Sequence, residues 1–409
     1  MKRFFTPLVI IGFLVSCISE KSTSPGKPTT FIRYYNGGFN DVAQTFQETG
    51  DQGFIILATT QVKTSDAAIP RYKIKLIKTD AFGNMVWQKL YPDFSAAAPV
   101  PNYQAHDLQI LKDGGYVITG QDIQQDGTSK ILIMTVDANG TITKSNSLPT
   151  PAGSSLTGQA VAVNAADNYL VLGAAGGSAM ILTEIKNSDL TPVWANTYAA
   201  GQVTLTDRLY LDDAGKAFWS GTVVKSGVTG IRVIKTQQNS QNSEFDQFII
   251  EPGGFTEVAN DFARFGFGYA IVGSTDKKAD GTKGDKDILF KRLGQDGAVL
   301  SSQSFPLGDT DTQNDARNSI SSTQDGGLIL LASVNSVAIN GRGDDDYYLI
   351  KINAFGDKEW SNSFGSRFKD AGSAVRQASD GGYMILGTSV QGGLSLIMLA
   401  KTDKGGKIE

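Results

Sequence analysis

Between residues 31 and 409 the apolar positions fall in short runs of roughly five to eight residues, set apart by clusters of Gly, Asp and Asn. Several runs alternate apolar with polar side chains, and they are enriched in Ile, Val, Tyr and Phe. No stretch keeps the apolar spacing of an amphipathic helix. The pattern therefore predicts many strands joined by tight turns. Asp-Gly and Asn-Gly pairs supply the positive φ angles that such turns demand.

The runs repeat. Asp113-Gly114-Gly115-Tyr116-Val117-Ile118 returns as Asp325-Gly326-Gly327-Leu328-Ile329-Leu330 and as Asp380-Gly381-Gly382-Tyr383-Met384-Ile385. Asp51-Gln52-Gly53-Phe54-Ile55-Ile56 is a close relative, and weaker copies begin at Asp167, Asp213 and Phe265. Successive copies lie about 55 residues apart. Each unit carries a second landmark, an apolar run, an Asx/Gly turn and often Trp, as in Leu349-Ile350-Lys351-Ile352 followed by Asn353 to Trp360. Each unit thus reads as four strands, a to d, with tight a–b and c–d turns. Four-stranded units of this length, repeated seven times, predict an all-β, seven-bladed β-propeller of antiparallel blades. A β-solenoid is the main alternative, and its rungs are usually much shorter.

The ends of the chain fit a closed ring. The last unit stops after strand c, at Asp403 to Lys407. Phe31 to Gly38 reads like a strand d with its exit loop; compare Trp360 to Gly365. The N-terminal strand is expected to complete the last blade and to remove the edges of an open array. The fourth unit departs most from the repeat.

Met1 to Arg3 is basic, and Phe4 to Val15 is mostly apolar but too short to span a bilayer. It ends in Leu14-Val15-Ser16-Cys17. This resembles the lipobox of bacterial lipoproteins, which implies acylation of Cys17 and cleavage before it. Residues 1–16 are then a signal peptide, 17–30 the lipidated Cys and a Ser/Thr/Pro-rich tether, and 31–409 the propeller. The repeat itself resembles the propeller repeats of surface and secreted lipoproteins of Bacteroidetes-type bacteria. That resemblance covers nearly all of residues 31–409 and implies a fold, not an activity. It places the protein on the outer membrane or surface of a Gram-negative bacterium.

Composition narrows the chemistry. The formal net charge of -4 argues against a nucleic-acid partner. The single Cys excludes an internal disulfide framework, and the single His, His106, excludes any site needing two. The b–c and d–a connections read as the longer, more variable ones, so one face is expected to be a loop face suited to binding. At its mouth Asp41, Asp315 and Asp370 share one register, each 13 residues before the residue opening strand b (Phe54, Leu328, Tyr383). Three neighbouring carboxylates could bind a cation, sugar hydroxyls or a basic peptide; the plainer reading is that each caps its own loop. His106, at the start of the second strand a, reads as structural or ligand-contacting. Asp276, Asp280, Asp285 and Asp287 lie in one Gly-containing loop whose spacing is not that of an EF-hand. A solvated loop is the plainer reading and Ca²⁺ binding the alternative; no other cofactor is expected.

These readings converge on a lipid-anchored, monomeric envelope propeller that binds a protein or polysaccharide through its loop face without catalysis. The alternatives are a carbohydrate-active enzyme using loop-face carboxylates and a scaffold for outer-membrane assembly.

Overall fold

In a computed structural model the described residues are 30–408, except 63–70, 93–100, 150–154, 177, 200–201, 207, 238–239, 241, 279, 307–317 and 336–343. Cys17 and the tether lie outside them. The chain forms seven antiparallel sheets and no helix among these residues. The sheets are the blades of a β-propeller. Strand a of each blade lies innermost and strand d outermost, as in the first blade, Asn40–Glu48, Phe54–Val62, Arg71–Thr79 and Met85–Tyr91.

The ring closes as the ends of the sequence predict. Phe31–Tyr35 pairs antiparallel with Leu394–Thr402 and becomes strand d of the seventh blade. Thr388 Oγ1 of that blade accepts from the Ala43 amide of the first at 3.0 Å, and Ser373 Oγ donates to the Ala43 carbonyl at 2.9 Å.

Strands b and c are buried on both faces, so the core is divided into seven apolar clusters. Each cluster fills the seam between two neighbouring blades; Ile55, Leu57 and Leu76 of the first blade, for example, meet Leu108, Ile118 and Leu132 of the second. The two repeated landmarks are one device. The Asp of the a–b turn accepts from the amide two residues on, at 3.1 Å for Gly53 and 3.0 Å for Gly327. The same carboxylate holds the Lys of strand c, Lys78 to Asp51 at 2.8 Å and Lys351 to Asp325 at 2.9 Å. Strand d then locks onto the next blade. The rings of Phe31, Trp87, Phe245 and Trp360 lie against Gly83, Gly140, Gly297 and Gly406, each in the next c–d turn.

One expectation holds, that the fourth unit departs most from the repeat, and one needs correction. The fourth blade holds a broken strand a, Gln202–Leu205 and Tyr210–Leu211, both paired with Ala217–Lys225. The b–c connections, read as long, are tight in the second, third, fourth, fifth and seventh blades. The apparent loop between Thr275 and Lys286 is mostly strand. Gly268–Lys277 and Lys283–Leu293 run outward together and reverse at Lys278 to Thr282. Polar, Gly-containing sequence was taken for loop where it is solvent-facing hairpin.

Candidate functional site

Strand a carries a β-bulge in five blades, at Gln44, His106, Gln159, Asn260 and Ser373. A bulge turns an extra side chain out of the pleat. Gln44, His106, Asn260 and Ser373, together with Arg208 and Asn318, line one small cavity, which identifies it as the central channel. It encloses about 30 Å³. That is room for about one water and not for a substrate.

In the second and fifth blades the residue after the bulge is an aspartate, Asp107 and Asp261. Asp261 receives Arg208 from the fourth blade in a two-pronged pair, Nε to Oδ1 at 2.9 Å and Nη2 to Oδ2 at 3.0 Å. It also accepts from the Phe262 and Ile320 amides at 2.8 and 3.0 Å and from the Ser319 hydroxyl at 3.0 Å. Asp107 accepts from the Leu108 and Val161 amides at 2.8 and 3.0 Å. It has no such close cation, and burial pushes its carboxyl up to about 7. Arg376 is lowered to about 10, first by burial and then by the like charge of Arg208. Asp107, Asp261 and Ser319 each take the amide of the next blade, so this layer stitches neighbouring inner strands together.

Asp41 and Asp370 do begin strand a in one register, opposite Thr60 and Ser389. They are not brought together at an open mouth. Asp41 is fully buried and bonds to Lys75 Nζ and Thr60 Oγ1, both at 2.6 Å. Asp370 is buried beside Asp346 at Gly365 and accepts from the Ser366 amide at 2.6 Å. Burial raises its carboxyl above the usual range. Asp315 lies outside the described residues. Glu257 occupies the same register, opposite Thr275, and escaped the sequence reading because it is not Asp. Burial raises its carboxyl too, and Lys291 sits on it at 2.9 Å.

The acidic loop is similarly committed. Asp276 accepts from the Thr256 amide at 2.7 Å and pairs with Lys283 at 3.1 Å. Asp280 accepts from the amide and hydroxyl of Thr282 at 2.9 and 2.6 Å. Asp287 is buried in strand c, and the Asp285 side chain lies outside the described set. Among the described residues no three His, Cys, Asp or Glu side chains converge as a metal site would need.

A larger opening lies on the other face, among the a–b turns of the second, third and fourth blades. This groove is about 750 Å³, with Ile110, Val163 and Leu211 on its floor. Lys112, Lys144 and Asp213 are among the residues around them. A side pocket of about 210 Å³ extends it toward Trp194 between the third and fourth blades. The groove floor is apolar where other seams carry a side-chain bridge from strand a, although Lys112 and Asp167 join the second and third blades at its rim. Between the first and second blades Gln47 donates to the Leu108 carbonyl and accepts from the Ile110 amide, both at 3.1 Å. Between the sixth and seventh, Gln377 accepts from the Gln324 amide at 2.7 Å. At the registers of Gln47 and Glu48 the third blade has Ala162 and Val163, which reach across nothing. Four of the five acids lining the groove hold partners: Asp167 pairs with Lys112 at 2.6 Å, Asp137 accepts from the Asn139 and Thr141 amides at 2.9 and 2.7 Å, Asp113 accepts from the Gly115 amide at 2.9 Å, and Asp212 accepts from the Lys216 amide at 2.8 Å.

No protein-family model matches the sequence, and neither does any curated protein. The solved structures include similar chains. A protein of unknown function from Dyadobacter fermentans has a TM-score of 0.52 at 10% identity, over 92% of this chain and 99% of that one. An α-L-arabinanase from Penicillium chrysogenum, complexed with arabinobiose, has a TM-score of 0.51 at 13% identity, over 93% and 99%. Hydrazine synthase from Kuenenia stuttgartiensis has 0.52 at 12% identity, over 89% and 98%. At such identities the likeness is one of fold, and the activities of these proteins do not transfer.

Proposed function

We propose that the protein is a lipid-anchored propeller of the bacterial cell envelope that binds a partner without catalysis. The observation that carries the binding reading is the groove between the second and fourth blades. It has an apolar floor and a rim charged with both signs, and all its acids but Asp213 hold a turn amide or Lys112. Its Tyr169 is buried and offers no stacking face to a sugar ring. The Tyr169 hydroxyl is on Asn187, and Trp194 donates to Glu184 at 2.7 Å. An apolar floor inside a polar rim suits a protein segment. The anchor reading rests on Leu14-Val15-Ser16-Cys17 at the end of an apolar leader.

Two measurements test this. Cys17→Ala should move the protein from the membrane to the soluble fraction of the cells that make it; an unchanged distribution rejects the anchor. Photo-crosslinking from Asp213 in intact cells should give a discrete protein adduct that Val163→Arg abolishes. Binding to a glycan array that is indifferent to Val163→Arg would instead place the ligand elsewhere and make it a sugar.

A further inference from the structure

The face that bears the a–b and c–d turns differs from the opposite face in two independent ways. First, it is where the described chain begins. Strand d runs away from the c–d turn, and Phe31 is the first residue of the seventh strand d, paired with Lys401 just before the turn at Asp403. The Phe31 ring rests against Gly83, in the c–d turn of the first blade. The described chain therefore enters the propeller from this rim, at the seam between the seventh and first blades.

Second, this face carries most of the exposed apolar side chains. Phe267 and Phe355 are 86% and 79% exposed and sit in the a–b turn of the fifth blade and the c–d turn of the sixth. Met85, Val86, Ile142, Val193, Val299 and Leu300 are exposed at the first residues of strands d, directly after their turns. With Ile32, second in the seventh strand d, nine of the 13 exposed large hydrophobics among the described residues lie along this rim, and only Val42, Val228 and Ile250 mark the opposite edge. Singly exposed apolar residues are ordinary; their concentration on the rim where the described chain enters is not.

The two Phe-bearing turns are braced. Arg292 of the fifth blade lies 4.9 Å from the Phe265 ring and donates to the Phe355 carbonyl at 2.7 Å. Gln303 donates to the neighbouring Gly356 carbonyl at 2.9 Å. Both turns are thus fixed to one blade with their rings turned outward. Phe and Leu side chains presented this way sit well at the boundary between lipid headgroups and acyl chains.

We infer that the turn face rests on the lipid bilayer that holds the Cys17 anchor, with Phe267 and Phe355 entering its surface. The inference rests on the anchor reading above. A tether of about 13 residues spans at most about 45 Å, so the propeller stays within its own dimensions of the bilayer. An acyl chain with a second apolar contact also binds more firmly than an acyl chain alone. The groove between the second and fourth blades then opens toward the membrane, so the protein segment it takes is one held at the bilayer surface.

The test uses the full chain, acylated, in vesicles of phosphatidylethanolamine and phosphatidylglycerol. Acylation occupies the native Cys, so Phe267→Cys, Phe355→Cys and, on the opposite face, Gly393→Cys each provide one site for an environment-sensitive fluorophore. Nitroxide-labelled lipid should quench the probe at 267 and at 355 and leave that at 393 unaffected. Equal quenching at all three positions, or none at 267 and 355, overturns the inference. Mass spectrometry of the N-terminal fragment separates this from the anchor itself. Should Cys17 carry no acyl group, the unlabelled Cys17→Ser chain is added to the same vesicles. Phe267→Ser with Phe355→Ser should then lower its partition about 10-fold; no change overturns the bilayer contact on its own.

Discussion

Asp107 shows how one buried carboxyl sets the pH response of the ring. Folded, it keeps its proton up to about 7, because burial disfavours the charge. Unfolded, it releases it near 4. Between these values the folded state binds more protons, so this group's contribution to stability is complete below about pH 4 and is lost as pH rises through 7. The span is on the order of 4 kcal/mol at most. Asp107→Asn keeps the shape and one acceptor oxygen but does not titrate. The melting temperature of the wild type should therefore fall more steeply from pH 4 to 8 than that of Asp107→Asn; parallel curves would show that Asp107 is ionised throughout. Asp261 is the contrasting case, since Arg208 and three further donors reach its carboxylate oxygens. Asp261→Ala strands a guanidinium of which only 22% is exposed and frees three groups at the channel wall. It should cost about 3–5 kcal/mol in denaturant unfolding, far more than removal of the exposed Lys112–Asp167 pair, which is worth under about 1 kcal/mol.

At the scale of the element, the aromatic of strand d and the glycine of the next c–d turn behave as one joint. Gly406 has φ of 72°, and a Cβ there would stand 2.4 Å from the Trp360 ring. Gly406→Ala should therefore cost about 2 kcal/mol or more, and Trp360→Ala combined with it should cost less than the two summed, because the clash is relieved. A strictly additive double-mutant cycle would show that the joint does not exist. The repeat was legible because such joints need fixed residue types: Asp and Gly in the turns, Lys in strand c, an aromatic in strand d. The Asp–Lys link between the two landmarks was not legible, since sequence spacing does not say that the turn of strand a reaches strand c. The channel was missed for a different reason. A bulge shifts the alternation by one residue, so His106-Asp107-Leu108 and Asn260-Asp261-Phe262 look like ordinary strand sequence until the two are aligned on the bulge. Arg208 lies in the interruption of strand a in the fourth blade, where its partner belongs to the fifth blade and no local pattern announces it.

For the whole molecule, closure falls on five residues, the first strand of the described chain. Phe31–Tyr35 covers the backbone edge of Leu394–Thr402, and Tyr35 donates to the Gly83 carbonyl of the first blade at 2.7 Å. Without this strand the seventh blade would present an unpaired edge, the kind that recruits strands from other copies. The seam to the first blade would also lose Phe31 and Tyr35 from its core. A chain starting at Asn36 should melt lower than the wild type and associate in a concentration-dependent way, read by light scattering after size exclusion. A synthetic peptide of residues 31–35 with short flanks should restore the monomer by refilling the edge. If the shortened chain remains monomeric and equally stable, the ring is closed by the inner strands alone, through contacts such as Thr388 and Ser373 on Ala43. The distinction bears on the anchor as well. Under the anchoring proposed at Cys17, any pull between bilayer and propeller would be transmitted through the strand that seals the ring. Its antiparallel pairing runs along the direction from turn face to loop face, so a load from the membrane side shears all five residue pairs together instead of peeling them one by one.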